Sequence, residues 1–249
     1  MKPFNNEYVL QKIDEYNDKI NIKKSGDYEV KEVDSLKGII NYYMYSKEGT
    51  IDKKILELHG PQHIWMRLTP YEIQASYFPI KMAKGRVGVV GLGLGYVVQE
   101  IAVKEEVEEV IVYEISKDII DIYNSNFKEN KKIKIINKDA YKAEPEKFDF
   151  FYVDIYEYKL TSKVAEDYKI FNKLHEIEEY SFFGMEHFML SCSYSEIMWV
   201  YVPENWVGTS QRAFQALEQN NVLDDYYKLD ENIVSQVLED FKVILNEDM

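Results

Sequence analysis

The stretch RVGVVGLGLGYVVQ, residues 86–99, guides the interpretation of the whole chain. Its first part, residues 87–90, is a short apolar run rich in β-branched residues, which is typical of a buried parallel strand. Three glycines follow at alternating positions: Gly91, Gly93 and Gly95. Residues 96–103 are then apolar at helical spacing, and a helix N-terminus offers unpaired N–H groups to a ligand. Because glycine permits positive φ and a close approach to the backbone, the stretch predicts a strand, a nucleotide-binding type of turn and a helix.

Length and composition describe a chain that can bury a full core. Of its 249 residues, 46% are hydrophobic and 30% are charged, as is usual for globular proteins. The N-terminal residues do not resemble a signal peptide, because polar residues 5–7 interrupt any apolar segment. The apolar run at residues 197–202 is too short to span a bilayer. A single cysteine, Cys192, excludes an intramolecular disulfide and a Cys-based zinc site. We therefore expect a cytoplasmic protein without membrane association.

The net charge bears on the class of partner. A formal charge of −14 repels phosphate backbones, so it disfavours a nucleic-acid substrate without excluding it. The basic cluster at residues 128–138 flanks a predicted strand and is interpreted as a solvated edge. The charge therefore favours a small-molecule substrate.

The N-terminal part, residues 1–68, predicts a helix and a small antiparallel β-region. The helix is expected at residues 7–20, where apolar side chains fall on one face. Segments with strand character and the turn signals between them follow in order: strands at 28–33, 38–45 and 54–58, and turns at 47–49 and 59–61.

A further helix is expected directly before the glycine-rich stretch. Thr69 can cap its N-terminus, Pro70 suits the first helical position, and Glu72 falls where a capping box needs an acid. Gly85 is a plausible stop for this helix.

From residue 86 strands and helices alternate. Further strands are predicted at 110–114, 133–137 and 148–154, with a helix at 117–127. Alternation of this kind predicts right-handed crossovers and a doubly wound, mostly parallel sheet, in which ligands bind at the carboxyl ends of the strands. The candidate ligand-binding residues fall at those ends: the three glycines, Glu114, Asp139 and Asp154.

The C-terminal part completes a domain predicted over residues 69–249. Helices are expected at 162–174, 182–190, 210–219 and 232–245, and a fifth strand at 197–202.

The glycine spacing distinguishes two classes of nucleotide. A dinucleotide site has the pattern G-x-G-x-x-G/A, in which the last small residue permits close packing of helix and strand. Counted from Gly91, that position holds the bulky Tyr96. The turn therefore fits a nucleoside without pyrophosphate better than a nicotinamide or flavin cofactor.

Four segments (87–95, 110–116, 132–141 and 148–154) resemble the class I S-adenosylmethionine-dependent methyltransferases. The resemblance implies a Rossmann-like methyltransferase fold with S-adenosylmethionine as the cofactor. It implies that the glycine turn lies against the amino-acid and ribose part of the cofactor, and that Glu114, with Ile115 beside it, binds the ribose. Asp139 and Ala140 would contact the adenine, and Asp154 would lie near the reacting centre.

Residues 56–78 resemble the spermidine synthase-like branch of that superfamily, through Leu58, Gly60, Gln62, Tyr71, Glu72 and Tyr77. This resemblance implies a cofactor contact for Gln62, a substrate contact for Tyr77 and a homodimer. His59 stands where the branch has an acid, and the glycine turn lacks an aspartate. The second aspartate of the segment after strand four, which helps to bind and deprotonate the amine in that branch, is also missing.

These observations predict a methyltransferase that acts on a small molecule. Asp154 or Glu157 would supply a base within reach of the nucleophile, and Tyr156 and Tyr158 would line the substrate side. No metal is expected, since Gly60 and Pro61 keep His59 and His63 off a shared helical face. Two alternatives stay open: a spermidine synthase-like aminopropyltransferase, and a non-catalytic relative that binds the cofactor or nothing.

Overall fold

The computed structural model describes residues 2–246, which form a mixed α/β fold. The helices are α1 Asn6–Lys19, α2 Pro70–Ala75, α3 Tyr77–Met82, α4 Tyr96–Ala102, α5 Lys117–Asn126, α6 Lys163–Leu174, α7 Met185–Ser191, α8 Tyr194–Val200, α9 Glu204–Gln219 and α10 Glu231–Leu245. The strands are β1 Lys24–Ser25, β2 Tyr28–Val33, β3 Leu36–Tyr42, β4 Tyr45–Ile51, β5 Ile55–His59, β6 Ile64–Arg67, β7 Gly85–Val90, β8 Val107–Glu114, β9 Ile133–Asn137, β10 Lys147–Val153 and β11 Glu176–Phe182. None of the helices in this part of the chain is both long and apolar enough to cross a membrane.

A five-stranded parallel sheet in the order β11-β10-β7-β8-β9 forms the centre of the molecule. Each face of the sheet carries its own hydrophobic core, because side chains alternate along a strand. On β10, for example, Tyr152 lies in one core, and Phe151 and Val153 lie in the other. The strand order reverses between β7 and β10, which leaves a crevice at their carboxyl ends. The predicted doubly wound sheet is confirmed.

The N-terminal part packs on one face of this sheet. It contains a four-stranded antiparallel sheet, β1-β2-β5-β6, and the hairpin of β3 and β4. Val9, Ile13 and Tyr16 on α1 share a hydrophobic core with β7 and β8. The predicted antiparallel region therefore exists, while the domain boundary near residue 69 stays a prediction.

The hairpin turn lies elsewhere than the sequence predicted. Residues 47–49 belong to β4, and the turn is formed by Tyr43 and Met44, with Met44 at φ 74°. Both turn residues are fully buried, and the Tyr43 N–H donates to Oε1 of Gln74 at 3.0 Å. Burial of two large apolar side chains thus outweighs the local preference of Gly49 for a turn, and Gly49 pairs with Gly38 inside the ladder.

The helix predicted from Thr69 is broken into α2 and α3 at Ser76. Pro79 causes the interruption, because it has no N–H to donate to the carbonyl of Ala75. Thr69 precedes α2 but its side chain caps nothing, and the carboxylate of Glu72 points away from the helix start. The predicted capping box is wrong.

The fifth strand of the sheet is β11, and the predicted strand at 197–202 is wrong. That segment lies mostly in α8, which a capping box between Ser193 and Glu196 starts. Likewise, the helix predicted from residue 182 begins only at Met185. Sequence patterning missed β11 because its three glutamates interrupt the apolar pattern that is expected of a strand. The glutamates are tolerated because β11 lies at the edge of the sheet, where charged side chains are common.

We expect Tyr43→Phe to destabilise the fold by about 1–3 kcal/mol, because a buried carboxyl acceptor would lose its donor. The Tyr43 hydroxyl donates to Oε2 of the fully buried Glu186 at 2.9 Å, which ties the hairpin to α7. Chemical denaturation measures the effect. Tyr201→Phe is the matched control, since the Tyr201 side chain is 65% exposed. Equal unfolding midpoints for the two variants would contradict the role of this contact.

Candidate active site

The glycine turn after β7 adopts the conformation that its sequence predicts. Gly91, Gly93 and Gly95 have φ values of 97°, 52° and 82°, which residues with a Cβ rarely adopt. A Cβ on Gly91 would lie 2.3 Å from the carbonyl oxygen of Asp154. The turn therefore passes directly against the end of β10, and a side chain there would push the two strand ends apart.

A cavity of about 290 Å³ opens beside this turn, close to the lower end of the roughly 300–1,000 Å³ of small-molecule sites. The carboxyl ends of the sheet strands supply most of its wall, through residues 89–93, 113–115, 138–141 and 154–156 and through Tyr158 and Phe183. Segments of the N-terminal β-region and α2 supply the opposite wall: Tyr28, Leu58, Trp65, Met66 and Glu72. The site thus lies at the reversal of strand order, as the sequence predicts.

Glu114 at the end of β8 is held in place by backbone donors. Its Oε2 accepts from the N–H of Leu92 at 3.1 Å and its Oε1 from the N–H of Ser116 at 2.8 Å. Burial raises the pKa of Glu114, and these two N–H groups act in the opposite direction. Each carboxylate oxygen keeps further acceptor capacity, so the side chain is oriented to receive hydroxyl donors of a ribose.

Asp139 and Ala140 follow β9 and lie on the same side of the cavity. Oδ1 of Asp139 accepts from the N–H of Tyr141 at 3.1 Å, and Oδ2 lies 3.1 Å from Nζ of Lys142. Ala140 is buried and begins a short 3₁₀ helix, Ala140–Lys142. The small side chain leaves room for a flat ring at this end of the cavity.

Two carboxyl groups meet the cavity at its other end. Asp154 directly follows β10, and Glu72 comes from α2 and is fully buried. Oε2 of Glu72 accepts from the Tyr158 hydroxyl at 2.9 Å, and Oε1 accepts from the Ser76 hydroxyl at 3.3 Å. Burial raises the pKa of both carboxyls, and the charge of Asp154 further raises the pKa of Glu72.

The charge of the lining distinguishes between candidate cofactors. The cavity contains four acids (Glu72, Glu114, Asp139 and Asp154) and one lysine, Lys138, which is paired with Glu144 at 3.2 Å. Such a wall repels a pyrophosphate and attracts the sulfonium and ammonium groups of S-adenosylmethionine. The residues present therefore fit that cofactor, with Glu114 expected at its ribose and the glycine turn at its amino-acid part.

Several predicted site residues lie together here. The cavity wall contains Gly91, Gly93, Glu114, Ile115, Asp139, Ala140, Asp154, Tyr156 and Tyr158. Their roles in binding or catalysis stay predictions, but their positions agree with them.

Four other predicted residues lie outside this cavity. Gly95 packs against Tyr123, so its positive φ serves the turn and helix packing. Gln62 is exposed in the turn before β6, and the Tyr77 ring packs edge-on against Tyr8 at 5.8 Å. Glu157 lines a second, neighbouring cavity. Their positions do not support a cofactor contact for Gly95 or Gln62, or a substrate contact for Tyr77.

Glu72 is the functional candidate that sequence reasoning missed. Its position after Thr69-Pro70 favoured a helix cap, although the same segment carried the resemblance to the spermidine synthase-like branch. Only the folded chain brings its carboxyl to the same cavity as Asp154. Trp65, Met66 and Phe183 were missed for the same reason, since their neighbours come from distant segments.

Part of the chain matches a known protein family. A model of the protein family described as ribosomal RNA adenine dimethylase matches residues 83–185, less than half of the chain. No curated protein sequence matches. The matched segment begins just before β7 and ends at the start of α7, so it includes the glycine turn, Glu114, Asp139 and Asp154.

Solved structures show similarity at low identity. Spermidine synthase from Thermotoga maritima is 13% identical, with 63% of this chain and 52% of that chain covered and a TM-score of 0.41. Trm5b from Pyrococcus abyssi is 18% identical, with 57% and 45% covered and a TM-score of 0.37. A putative RNA methyltransferase from Pyrococcus horikoshii is 19% identical, with 34% and 43% covered and a TM-score of 0.30. The chain therefore spans about half of the length of these proteins or less.

The family match corrects one expectation from the sequence. The net charge favoured a small-molecule substrate and disfavoured nucleic acid, whereas the matched family is described by its action on ribosomal RNA. Net charge sums over the entire surface, and a nucleic acid contacts only a local part of it. The charge of −14 was therefore not a valid criterion for the substrate class.

We expect Glu114→Gln to weaken the affinity for S-adenosylhomocysteine roughly tenfold to a hundredfold, since charge-assisted hydrogen bonds contribute about 1.5–3 kcal/mol. Isothermal titration calorimetry measures the change. Glu105→Gln is the control, because Glu105 is exposed and does not line this cavity. An unchanged dissociation constant in Glu114→Gln would contradict the ribose-binding role.

The confirmed sheet topology and the acidic cavity beside the glycine turn agree with the family match. The chain belongs to the class I S-adenosylmethionine-dependent methyltransferase superfamily, whose spermidine synthase-like branch stays a prediction for it.

Proposed function

We propose that this methyltransferase transfers the methyl group of S-adenosylmethionine to an amino nitrogen of an adenine base in RNA. The observation that carries the proposal is the match of residues 83–185 to the ribosomal RNA adenine dimethylase family. That segment supplies most of the cavity wall, including both the glycine turn and Asp154.

The acceptor end of the cavity has the chemistry of a base-binding pocket. The ring of Tyr158 lies 5.4 Å from that of Tyr71 and 5.7 Å from that of Phe183, both in edge-on geometry. Trp65 completes this aromatic wall. Enzymes that modify a base in RNA or DNA hold it between aromatic or apolar side chains and bind its polar edge through hydrogen bonds. Such a wall supports an extruded or single-stranded base as the acceptor.

The two carboxyls suit an amino nucleophile. S-adenosylmethionine supplies an activated methyl group on its sulfonium, so the protein has to place the amino nitrogen and take up a proton. Asp154 is positioned to accept a hydrogen bond from the amino group and then its proton. The Tyr158 hydroxyl orients Glu72, which provides a second acceptor at the same end of the cavity.

Lysines on the carboxyl-end loops offer local positive charge despite the acidity of the chain. Lys138 and Lys142 follow β9, and Lys159 follows β10. The first two are paired with acids, so their contribution to phosphate binding is small. Because few charges are involved, we expect RNA affinity to depend only moderately on salt. A cytoplasmic location and a homodimer stay predictions from the sequence.

Methyl transfer from tritiated S-adenosylmethionine to unmodified RNA tests the proposal directly. We expect label in adenine nucleotides after digestion, and a loss of about a hundredfold or more in Asp154→Ala, since a positioned general base contributes about 10²–10⁴. Asp52→Ala is the control, because Asp52 is exposed on the N-terminal β-region. Transfer that requires decarboxylated S-adenosylmethionine would instead support the aminopropyltransferase alternative. Binding of the cofactor without turnover on RNA would contradict the proposal and favour a non-catalytic relative.

The raised pKa values predict opposite effects of pH on rate and stability. Burial raises the pKa of Asp154 to about 7 and that of Glu72 to about 8, so ionisation of the pair sets in near neutral pH. The methyl-transfer rate should rise between about pH 6 and 8 as the base ionises. The free energy of unfolding should fall from about pH 4 to about pH 8, because a raised carboxyl pKa stabilises the native state below the unfolded-state value, and this stabilisation is lost as the pH rises through the native value.

The variant Glu72→Gln tests the predicted effect of pH on stability. The variant keeps an acceptor for Tyr158 but removes one ionisation, so its unfolding free energy should fall less with rising pH than that of the wild type, by about 1–3 kcal/mol. Denaturant unfolding at a series of pH values measures this difference. Parallel pH profiles for the variant and the wild type would contradict a raised pKa at Glu72.

A further inference from the structure

A second cavity of about 220 Å³ lies next to the first one. Two segments line it: residues 63–65 at the start of β6 and residues 156–159 after β10. Trp65, Tyr156 and Tyr158 belong to the walls of both cavities. The second cavity therefore continues the first one on its aromatic, acceptor side.

The second cavity contains polar groups that can form hydrogen bonds or ion pairs with a ligand. Nε2 of His63 is buried and makes no hydrogen bond to residues 2–246. The ammonium of Lys159 forms no ion pair within the same described part of the chain. Glu157 adds one carboxylate, while the hydroxyls of Tyr156 and Tyr158 are already used by Asp167 and Glu72. A cation, an imidazole and an acceptor thus surround an open space.

The Trp65 side chain is held in place by a close ring contact with His63. Its ring centroid lies 4.1 Å from that of His63, and its indole remains 42% exposed. A Cβ on Gly60 would come within 2.5 Å of the indole Nε1. Glycine at position 60 therefore permits the observed position of the indole between the two cavities.

We propose that the second cavity binds the nucleotide adjacent to the methylated adenosine, an inference that rests on the proposed function. The indole of Trp65 stacks on the neighbouring base, Lys159 and His63 contact the phosphate between the two nucleotides, and Glu157 accepts from a base amino group. Aromatic platforms beside cationic side chains are the usual means of binding single-stranded nucleic acid. The site gives the enzyme a preference for sequence context next to the acceptor.

Lys159 is the sharpest position for a test, because it lines only the second cavity. With S-adenosylhomocysteine bound, the probe is an unstructured RNA of about ten nucleotides containing one adenosine, within the range of known single-strand sites. We expect Lys159→Ala to weaken RNA affinity about fivefold and to lower the salt slope by about 0.7, the value for one phosphate contact on a single strand. Affinity for S-adenosylhomocysteine should not change.

Two further variants complete the experiment. Trp65→Ala should weaken RNA affinity about tenfold through lost stacking. Lys37→Ala removes an exposed lysine on β3 that lines neither cavity, and it should leave RNA affinity and salt slope unchanged.

The outcomes distinguish the two proposals. If the wild type methylates RNA but Lys159→Ala and Lys37→Ala behave alike, the neighbouring-nucleotide site is wrong and the proposed function stands. If the wild type neither binds nor methylates RNA, the proposed function fails and this site fails with it. A selective effect of Lys159→Ala on RNA affinity and salt slope, with cofactor affinity unchanged, supports the site.

Discussion

The parallel pairing of β7 with β10 is the contact on which the site depends. At its carboxyl end the Asp154 N–H donates to the carbonyl of Val90 at 2.9 Å, and Gly91 then turns away with its α-carbon close to the Asp154 carbonyl. The glycine turn and the candidate base are therefore held together by backbone geometry rather than by mobile side chains. Because strand order reverses at this pair, the same contact also creates the crevice in which a ligand can lie.

The acidity of the crevice follows from its architecture. Parallel strands end at one edge of the sheet, so acids that end successive strands collect around one cavity, here Glu114, Asp139 and Asp154. Burial raises the pKa of Glu114, Asp154 and Glu72; backbone N–H groups oppose this rise at Glu114, whereas no backbone N–H of residues 2–246 donates to the other two carboxyls. One cavity thus combines Glu114, the candidate ribose-binding acid, with two carboxyls that can exchange protons near neutral pH.

The N-terminal part completes the site as well as covering the sheet. Trp65 and Met66 on β6 close the cavity above the glycine turn, and Sδ of Met66 lies 3.2 Å from the N–H of Leu94. The β3–β4 hairpin supports α2 through the hydrogen bond from Tyr43 to Gln74. The N-terminal region thus contributes Trp65 and Met66 to the cavity wall, whereas the glycine turn, Glu114, Asp139 and Asp154 come from the matched family segment.

The sequence by itself determined the parts of the molecule whose causes are local or periodic. The strand–turn–helix around Gly91, the alternation up to β10 and the placement of Glu114, Asp139 and Asp154 at strand ends all followed from apolar patterning and glycine chemistry. Tertiary structure alone decided the rest. The buried turn at Tyr43, the edge strand β11 and the inward orientation of Glu72 depend on partners more than 25 residues away, which no local pattern encodes. The acceptor side of the cavity belongs to this second group, because its aromatic wall and its two carboxyls come from segments that meet only in the folded chain.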